Sequence, residues 1–340
     1  MMDLAYVWFL IVGFLFIGYF VLDGFDFGVG MSLPFLGKDN TDRRVLINTI
    51  GPVWDLNETW LIVAGASLFA AFPIWYGTLF SGFYLALLVI LLALIVRGVS
   101  FEYRHQGKGE RWTSWFDGMI VVGSALPALL WGVAFANIIQ GVPIDETGNY
   151  AGTFFTLLNP YGLLGGLTTL MLFFTHGVIF VVLKTEGELR ARAKALASKA
   201  GVVTILVAAT FLVWTIWQHR ESDHLIVIIA LAAAAALALV SAWILNLVNQ
   251  DGWSFTAMAL TIVLAVGTIL AALFPNVMPS SLDPAYSLTI ENASSTDYTL
   301  TVMSWVAVFA MPLVLGYQGW TYWVFRRRIS RAHIPVEVGH

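Results

Sequence analysis

Lys184-Thr185-Glu186-Gly187-Glu188-Leu189-Arg190-Ala191-Arg192-Ala193-Lys194-Ala195-Leu196-Ala197-Ser198-Lys199 stands between two apolar runs, 161–183 and 200–218. Each run has about the 20 residues that a helix needs to cross the hydrocarbon core of a bilayer. The segment between them reads as an amphipathic helix on the cytoplasmic face, because loops on that side are enriched in Lys and Arg. The same alternation extends along the chain. Of 17 Lys and Arg residues, 15 fall in 38–44, 104–111, 184–199 and 326–331. The stretches 140–160 and 275–300 carry acids and neither Lys nor Arg.

Composition agrees. The 340 residues are 59% hydrophobic and 11% charged, where soluble domains hold about 25% charged residues. The expected fold class is an all-α integral membrane protein. Nine apolar runs read as transmembrane helices: roughly 5–30, 52–73, 76–99, 114–139, 161–183, 200–218, 224–248, 253–274 and 301–324. The second and third are parted only by a turn at Pro73, and the seventh, with Ala232–Ala236, is the most featureless. Nine crossings put the termini on opposite sides. A cytoplasmic tail at Arg326-Arg327-Arg328 then places the N-terminus outside, with Arg220 the one outer exception and Arg97 near the inner end of the third helix.

The expected organisation is a single membrane domain. Its parts are a first bundle (1–139), an external loop (140–160), a second bundle (161–274), an external loop (275–300), a ninth peripheral helix (301–324) and a cytoplasmic tail (325–340). Met1-Met2-Asp3 is acidic where a signal peptide needs positive charge, so the first run reads as a retained helix.

Several chemistries are excluded. With no cysteine there can be no iron–sulfur cluster, thiolate zinc site, c-type haem attachment or disulfide. There is no basic patch for nucleic acid, and no phosphate loop, nucleophile elbow or HExxH. No residue is expected to be catalytic in the covalent sense, and no metal site is expected.

The intramembrane acids are the candidate functional residues. Asp23 and Asp26 lie three residues apart, on roughly one helix face. A charge in the hydrocarbon costs about 3 kcal/mol or more, so such groups usually face a bundle interior or a water-filled path. Either they sit in the inner headgroup zone, or they conduct protons at the cytoplasmic side. Asp55 and Glu58 repeat the spacing on the second helix. If Pro52 opens that helix, both acids lie near its positive dipole end; if it starts near Val45, Asp55 is about 15 Å deep. Asn57 adds a polar group beside them. Arg97, Glu102 and Asp117 lie at one level on the third and fourth helices, and Arg97 is either a countercharge for an acid or a snorkelling side chain. His176 is alone among histidines well inside a span; a bis-His haem needs two, and a lone buried His is more often packing. Gly24, Gly28 and Gly30 read as a close-approach surface for another helix. Trp112, Trp115, Trp253 and Trp320 read as interfacial belts.

At these residues the chain resembles subunit II of cytochrome bd-type quinol oxidases. The resemblance includes Leu22-Asp23-Gly24-Phe25-Asp26-Phe27-Gly28-Val29-Gly30-Met31, Arg43-Arg44 through Pro52-Val53-Trp54-Asp55, and Asn57 to Trp60. It continues through Phe80-Ser81-Gly82-Phe83-Tyr84, Arg97 to Tyr103, Gly132 to Pro143, Leu158-Asn159-Pro160, Phe274 to Ser281 and Val302 to Val306. Leu56 stands where family members often have Gly, Glu58-Thr59 replaces a less acidic pair, and the segment between the sixth and seventh helices is very short.

The resemblance implies a nine-helix subunit with no haem ligand of its own. Its partner would be the haem-bearing subunit I, with room for small accessory subunits, in a complex of the bacterial plasma membrane that oxidises quinol and reduces oxygen to water. It implies a cytoplasmic proton path through Asp26 and Asp55, and Trp54, Asn57 and Arg97 lie in matching motifs; Asp23 and Glu58 are added to that path from their own spacing beside these acids. Some members hold a quinone in this subunit as a structural lipid. A proton-coupled secondary transporter is the rival class, since it too places acids inside bundles. Its usual paired helix breaks are not evident: the Gly-rich stretch of the first helix has no clear counterpart in helices five to eight. A scaffold whose acids merely solvate the inner face is a third reading.

Overall fold

A computed structural model describes residues 3–107 and 109–334. Met1, Met2, Lys108 of the second basic segment and tail residues 335–340 lie outside the described residues. The helices are α1 (Leu4–Leu36), α2 (Asn40–Ile50), α3 (Trp54–Ala71), α4 (Pro73–Gly82), α5 (Tyr84–Tyr103) and α6 (Glu110–Gln140). They continue as α7 (Pro160–Lys184), α8 (Gly187–Gln218), α9 (Leu225–Leu247), α10 (Asp251–Leu273), the single turn α11 (Ile290–Ala293) and α12 (Asp297–Val324). Among the described residues, eight helices are long and apolar enough to cross a membrane. The expected second span, α3, is not among them, being 18 residues long with two acids at its start.

The α1 helix lies at the centre and packs on α3, α6, α7 and α10. The side chain of Asp3 accepts from Ala5 N at 3.0 Å and so caps its start. Its 33 residues span about 50 Å, more than a bilayer core of about 30 Å. The helix therefore continues ten residues beyond Asp26, to Leu36. An aromatic cluster of Phe16, Phe20, Trp131, Phe135 and Phe173 fills the space between α1, α6 and α7. Below it the two backbones nearly touch. A Cβ on Gly28 would lie 2.0 Å from Phe173 O, and one on Gly177 would lie 2.3 Å from the Gly28 carbonyl carbon. Only glycine on both sides permits this approach, where dispersion rather than the hydrophobic effect holds membrane helices together. Gly24 and Gly30 similarly face Phe173 and Ser124. The α12 helix is the least covered: only Leu300, Gln318 and Thr321 of its residues are buried.

Several expectations need correction. The span expected at 76–99 is two helices. Phe83, at φ −101° and ψ 16°, leaves the helical path, and α4 is held to the acidic 140–160 segment where Thr78 Oγ1 donates to Gly148 O at 2.7 Å. The crossing helix is α5, displaced to 84–103. The basic segment 184–199 is not a separate surface helix: from Gly187 onward it is continuous with α8, because its Ala, Leu, Arg and Lys residues are strong helix formers with no breaker among them. The 40–50 segment, read as a basic loop up to residue 44 with an alternative start of the second span near Val45, forms a separate helix, α2, capped where Asp39 accepts from Asp42 N at 2.8 Å.

The segments 140–160 and 275–300 are not independent loops. Val142 N donates to Pro279 O at 3.0 Å and Ser281 N to Val142 O at 2.9 Å, while Ser280 Oγ donates to Ile144 O at 2.7 Å. A short antiparallel pair, β1 (Asn276–Met278) with β2 (Leu288–Thr289), completes this cap.

The first and last described segments meet opposite ends of the bundle. Tyr6 OH donates to Glu291 at 2.9 Å in the acidic cap. Arg331 meets Asp39 and Asp42 at the other end, each at 2.8 Å. The described basic segments gather at that second end: Arg192 reaches Asp42 (2.5 Å), Arg190 and Arg328 reach Asp251 (2.8 Å each), and Arg104 reaches Asp117 (2.6 Å). Trp112, Trp115, Trp253 and Trp320 are exposed on the outer surface.

Candidate functional site

Asp23 and Asp26 occur where α1 runs through the middle of the bundle, and both are fully buried. The three-residue spacing turns them toward neighbouring helices on one side. Arg97 arrives from α5 and is itself fully buried. Its Nη1 is 3.0 Å from Asp23 Oδ1 and 3.8 Å from Glu58 Oε1 on α3. The guanidinium carbon also lies 4.5 Å from the centre of the Phe27 ring, a favourable cation–π placement. Arg97 is therefore the countercharge of Asp23 and Glu58, not a side chain snorkelling to headgroups.

Asn57, one turn inside α3, is fully buried and bridges to Asp26: its Nδ2 donates to Asp26 Oδ2 at 2.7 Å. Two residues of α12 complete the shell. Gln318 Nε2 and Tyr322 OH both donate to Asn57 Oδ1, at 2.9 and 2.7 Å. Trp60 Nε1 in turn lies 3.4 Å from Gln318 Oε1. Several buried polar atoms keep no hydrogen-bond partner: Asp23 Oδ2, Asp26 Oδ1, Glu58 Oε1, and Nε and Nη2 of Arg97. The cluster thus holds three carboxyls and one guanidinium, with open lone pairs and N–H groups on both kinds.

Asp55 stands apart. The α3 helix begins at Trp54, so Asp55 lies in its first turn, exposed, near the positive end of the helix dipole. Glu58 is one turn deeper, its side chain 20% exposed. Trp54 packs on Phe101, ring centres 5.1 Å apart. Glu102 is exposed, and Asp117 is taken by Arg43 and Arg104, so neither joins the cluster. Gln318, Tyr322 and Trp60 were not singled out from sequence. The available signal was Gln318 itself, an amide in an apolar run with Tyr322 four residues on, sharing its helix face.

His176 is fully buried, and its Nδ1 has no hydrogen-bond partner among the described residues. Its Nε2 is 3.1 Å from Val21 O, its ring stacks on Phe255 with centres 4.8 Å apart, and Phe25 meets it edge-on at 5.8 Å. Among the described residues, no group of three or more His, Asp or Glu side chains is arranged to hold a metal ion.

The family described as cytochrome bd terminal oxidase subunit II matches residues 4–325. A Bacillus subtilis (strain 168) protein, cytochrome bd ubiquinol oxidase subunit 2, is 43% identical over 334 residues, covering 97% of this chain and 98% of its own. Cytochrome bd-I ubiquinol oxidase subunit 2 of Escherichia coli (strain K12) is 39% identical over 366 residues, covering 97% and 96%. The fold is similar to that in the structure of bd oxidase from Geobacillus thermodenitrificans, with a TM-score of 0.76 at 16% identity over 95% of this chain and 99% of that one. A family match over nearly the whole chain, with relatives this similar at full length, establishes that the chain belongs to the cytochrome bd terminal oxidase subunit II family.

Proposed function

We propose that this chain is the haem-free subunit of a bacterial plasma-membrane complex with a haem-bearing subunit I, which oxidises quinol and reduces oxygen to water. Oxygen reduction consumes protons, and the buried cluster supplies them. The transporter reading is not favoured, since full-length similarity runs to oxidase subunits. Haems reside in the partner, because a bis-His haem needs two histidines and His176, hydrogen-bonded to Val21 of α1 and stacked on Phe255 of α10, is the one buried histidine among the described residues.

One observation carries the proton reading: three carboxyls surround a single buried guanidinium, and oxygens of Asp23, Asp26 and Glu58 are left without hydrogen-bond partners. With all three ionised the site has two negative charges in excess, which a bilayer interior penalises heavily. Protons held among the carboxyls remove that excess, and open oxygens give them somewhere to go. Asp55, exposed in the first turn of α3, is the entry group. Glu58, one turn deeper, passes protons toward Asp23 and Asp26. Arg97 orders the acids by holding Asp23 while Asn57 holds Asp26. Trp54 packs beside the entry.

We further propose that α3 is the ninth crossing, that the basic end is cytoplasmic, and that two four-helix bundles stand with α12 apart. The clustering of Lys and Arg at one end supports the orientation. A hollow of about 460 Å³ between α1, α3 and α12, lined by Trp8, Leu56, Trp60, Met303 and Met311 among others, suits a lipid or quinone chain.

The test is turnover of the assembled oxidase. Asp55→Asn lowers oxygen consumption severalfold while haem content stays normal, because Asn keeps the volume but cannot release a proton. Asp26→Asn acts on the same route, so the double variant is little worse than the worse single one. Normal turnover in both singles removes the proton role. For orientation, a Cys at Ser294 reacts with an impermeant thiol reagent in intact cells and one at Ser330 does not; the reverse pattern inverts the assignment.

A further inference from the structure

We propose that Gln318 and Tyr322 are positioning residues for Asp26, acting through Asn57, and that the direction of their hydrogen bonds dictates which Asp26 oxygen exchanges protons. This rests on the proton-path reading above.

The direction follows from what each group can do. An indole N–H only donates, so Trp60 requires the oxygen of Gln318, at 3.4 Å. The Gln318 amide nitrogen must then point away, to Asn57 Oδ1 at 2.9 Å. Tyr322 OH donates to the same oxygen. Asn57 is thereby forced to present Nδ2 inward. There it meets Asp26 Oδ2 at 2.7 Å and the carbonyl oxygen of Leu22 at 3.4 Å. A backbone carbonyl only accepts, so the inner end demands the same orientation as the outer end. Reversing Asn57 would set its oxygen against a carboxyl and a carbonyl, and would turn its Nδ2 toward the Gln318 amide N–H, donor against donor.

Two consequences follow. Asp26 Oδ2 is engaged as an acceptor, while Oδ1 is buried without a hydrogen-bond partner. Proton gain and loss therefore occur at Oδ1, on the open side of the cluster. Amide nitrogens do not release protons under these conditions, so the chain from Trp60 to Asp26 holds the acid and conducts nothing. It also gives α12 a role. This helix buries few side chains, and Gln318, nearly fully buried, is one of them. Gln318 and Tyr322 lie one turn apart on the face turned to Asn57.

The test uses the assembled oxidase purified with its partner. Gln318→Met keeps the length of the side chain and removes the donor; Tyr322→Phe removes one hydroxyl. Both are expected to lower turnover, Gln318→Met by ~3- to 10-fold, the scale of one lost hydrogen bond, with haem content unchanged. The infrared carboxyl band that disappears in Asp26→Asn should shift to higher wavenumber in Gln318→Met and in Asn57→Leu, as Oδ2 loses its donor. In the Asn57→Leu background, adding Gln318→Met should change neither turnover nor band. Full turnover with an unshifted band in both Gln318→Met and Tyr322→Phe overturns the proposal, as does full additivity with Asn57→Leu. If Asp26→Asn itself keeps full turnover, the proton-path reading has failed, and the band shift alone then decides whether Gln318 positions Asp26.

Discussion

At the basic end Asp42, Asp117 and Asp251 each accept from two arginines, whereas in the bundle interior Asp23, Asp26 and Glu58 have one arginine among them. Asp42 lies 2.5 Å from Arg192 and 2.8 Å from Arg331; Asp251 lies 2.8 Å from Arg190 and from Arg328; Asp117 lies 2.6 Å from Arg104 and 3.2 Å from Arg43. Both regions pair buried aspartate with arginine, but only the interior arginine is fully buried; Arg331 at the basic end is 53% exposed. The proportions are opposite, and so is the chemistry. Where arginine is in excess, each of these carboxyls is paired with two arginines, and the pairs tie together helices and the tail. Where carboxyl is in excess, charge balance calls for protons, which is the basis of the proposed proton role.

The largest effect that would break this contrast is at Asp26. Asp26→Asn should lower oxygen-reducing turnover on the order of 100-fold, the lower range for a positioned proton-transfer group, and leave the thermal stability of the complex nearly unchanged. Stability lost in parallel with turnover would make the interior cluster structural, like the basic end.

Asp42→Asn should do the reverse. Removing one partner of a buried pair costs 3–5 kcal/mol at full burial. Here the Asp42 side chain is 1% exposed but Arg331 is 53% exposed, so about 1–3 kcal/mol is expected after solvent screening. Thermal unfolding should shift down while turnover per assembled complex holds. A turnover loss without destabilisation would give the basic end a proton role.

A smaller effect is set by pH. The Asp39 carboxyl is held below the usual range, first by the Asp42 backbone N–H at the start of α2 and then by Arg331. A depressed folded value contributes stability that is complete above the unfolded value, about 3.9, and is lost as pH falls further. Asp39→Asn should therefore destabilise at pH 7 and erase part of the acid-side loss of the parent. Equal stability differences at pH 7 and well below 3.9 would contradict this. The smallest effect is at Lys38–Glu188, 2.9 Å apart but 63% and 74% exposed. Lys38→Ala should leave the Tm unchanged within error; a clear loss would mean that exposed pairs share in holding the basic end.

Much of this was legible in order along the chain. Hydrophobic run length marked the eight helices long and apolar enough to cross a membrane, one of them displaced, and Lys and Arg placement sorted the two ends, because both signals are local and additive. The acids Asp23, Asp26 and Glu58 stood out against an apolar background for the same reason. What was not legible depended on distant partners. The break at Phe83 is accompanied by the bond from Thr78 to Gly148 in another loop. The two acidic segments knit together through backbone pairs more than a hundred residues apart, and backbone groups carry no sequence label. Asp117 and Asp23 are both acids on membrane helices, yet one meets two arginines and the other meets Arg97. Gln318 and Tyr322 acquire their role only when α12 comes to lie beside α3. The sequence by itself determined which residues could not face lipid; the tertiary structure decided which of them faced one another, because that choice is made by helix contacts whose partners lie far apart along the chain.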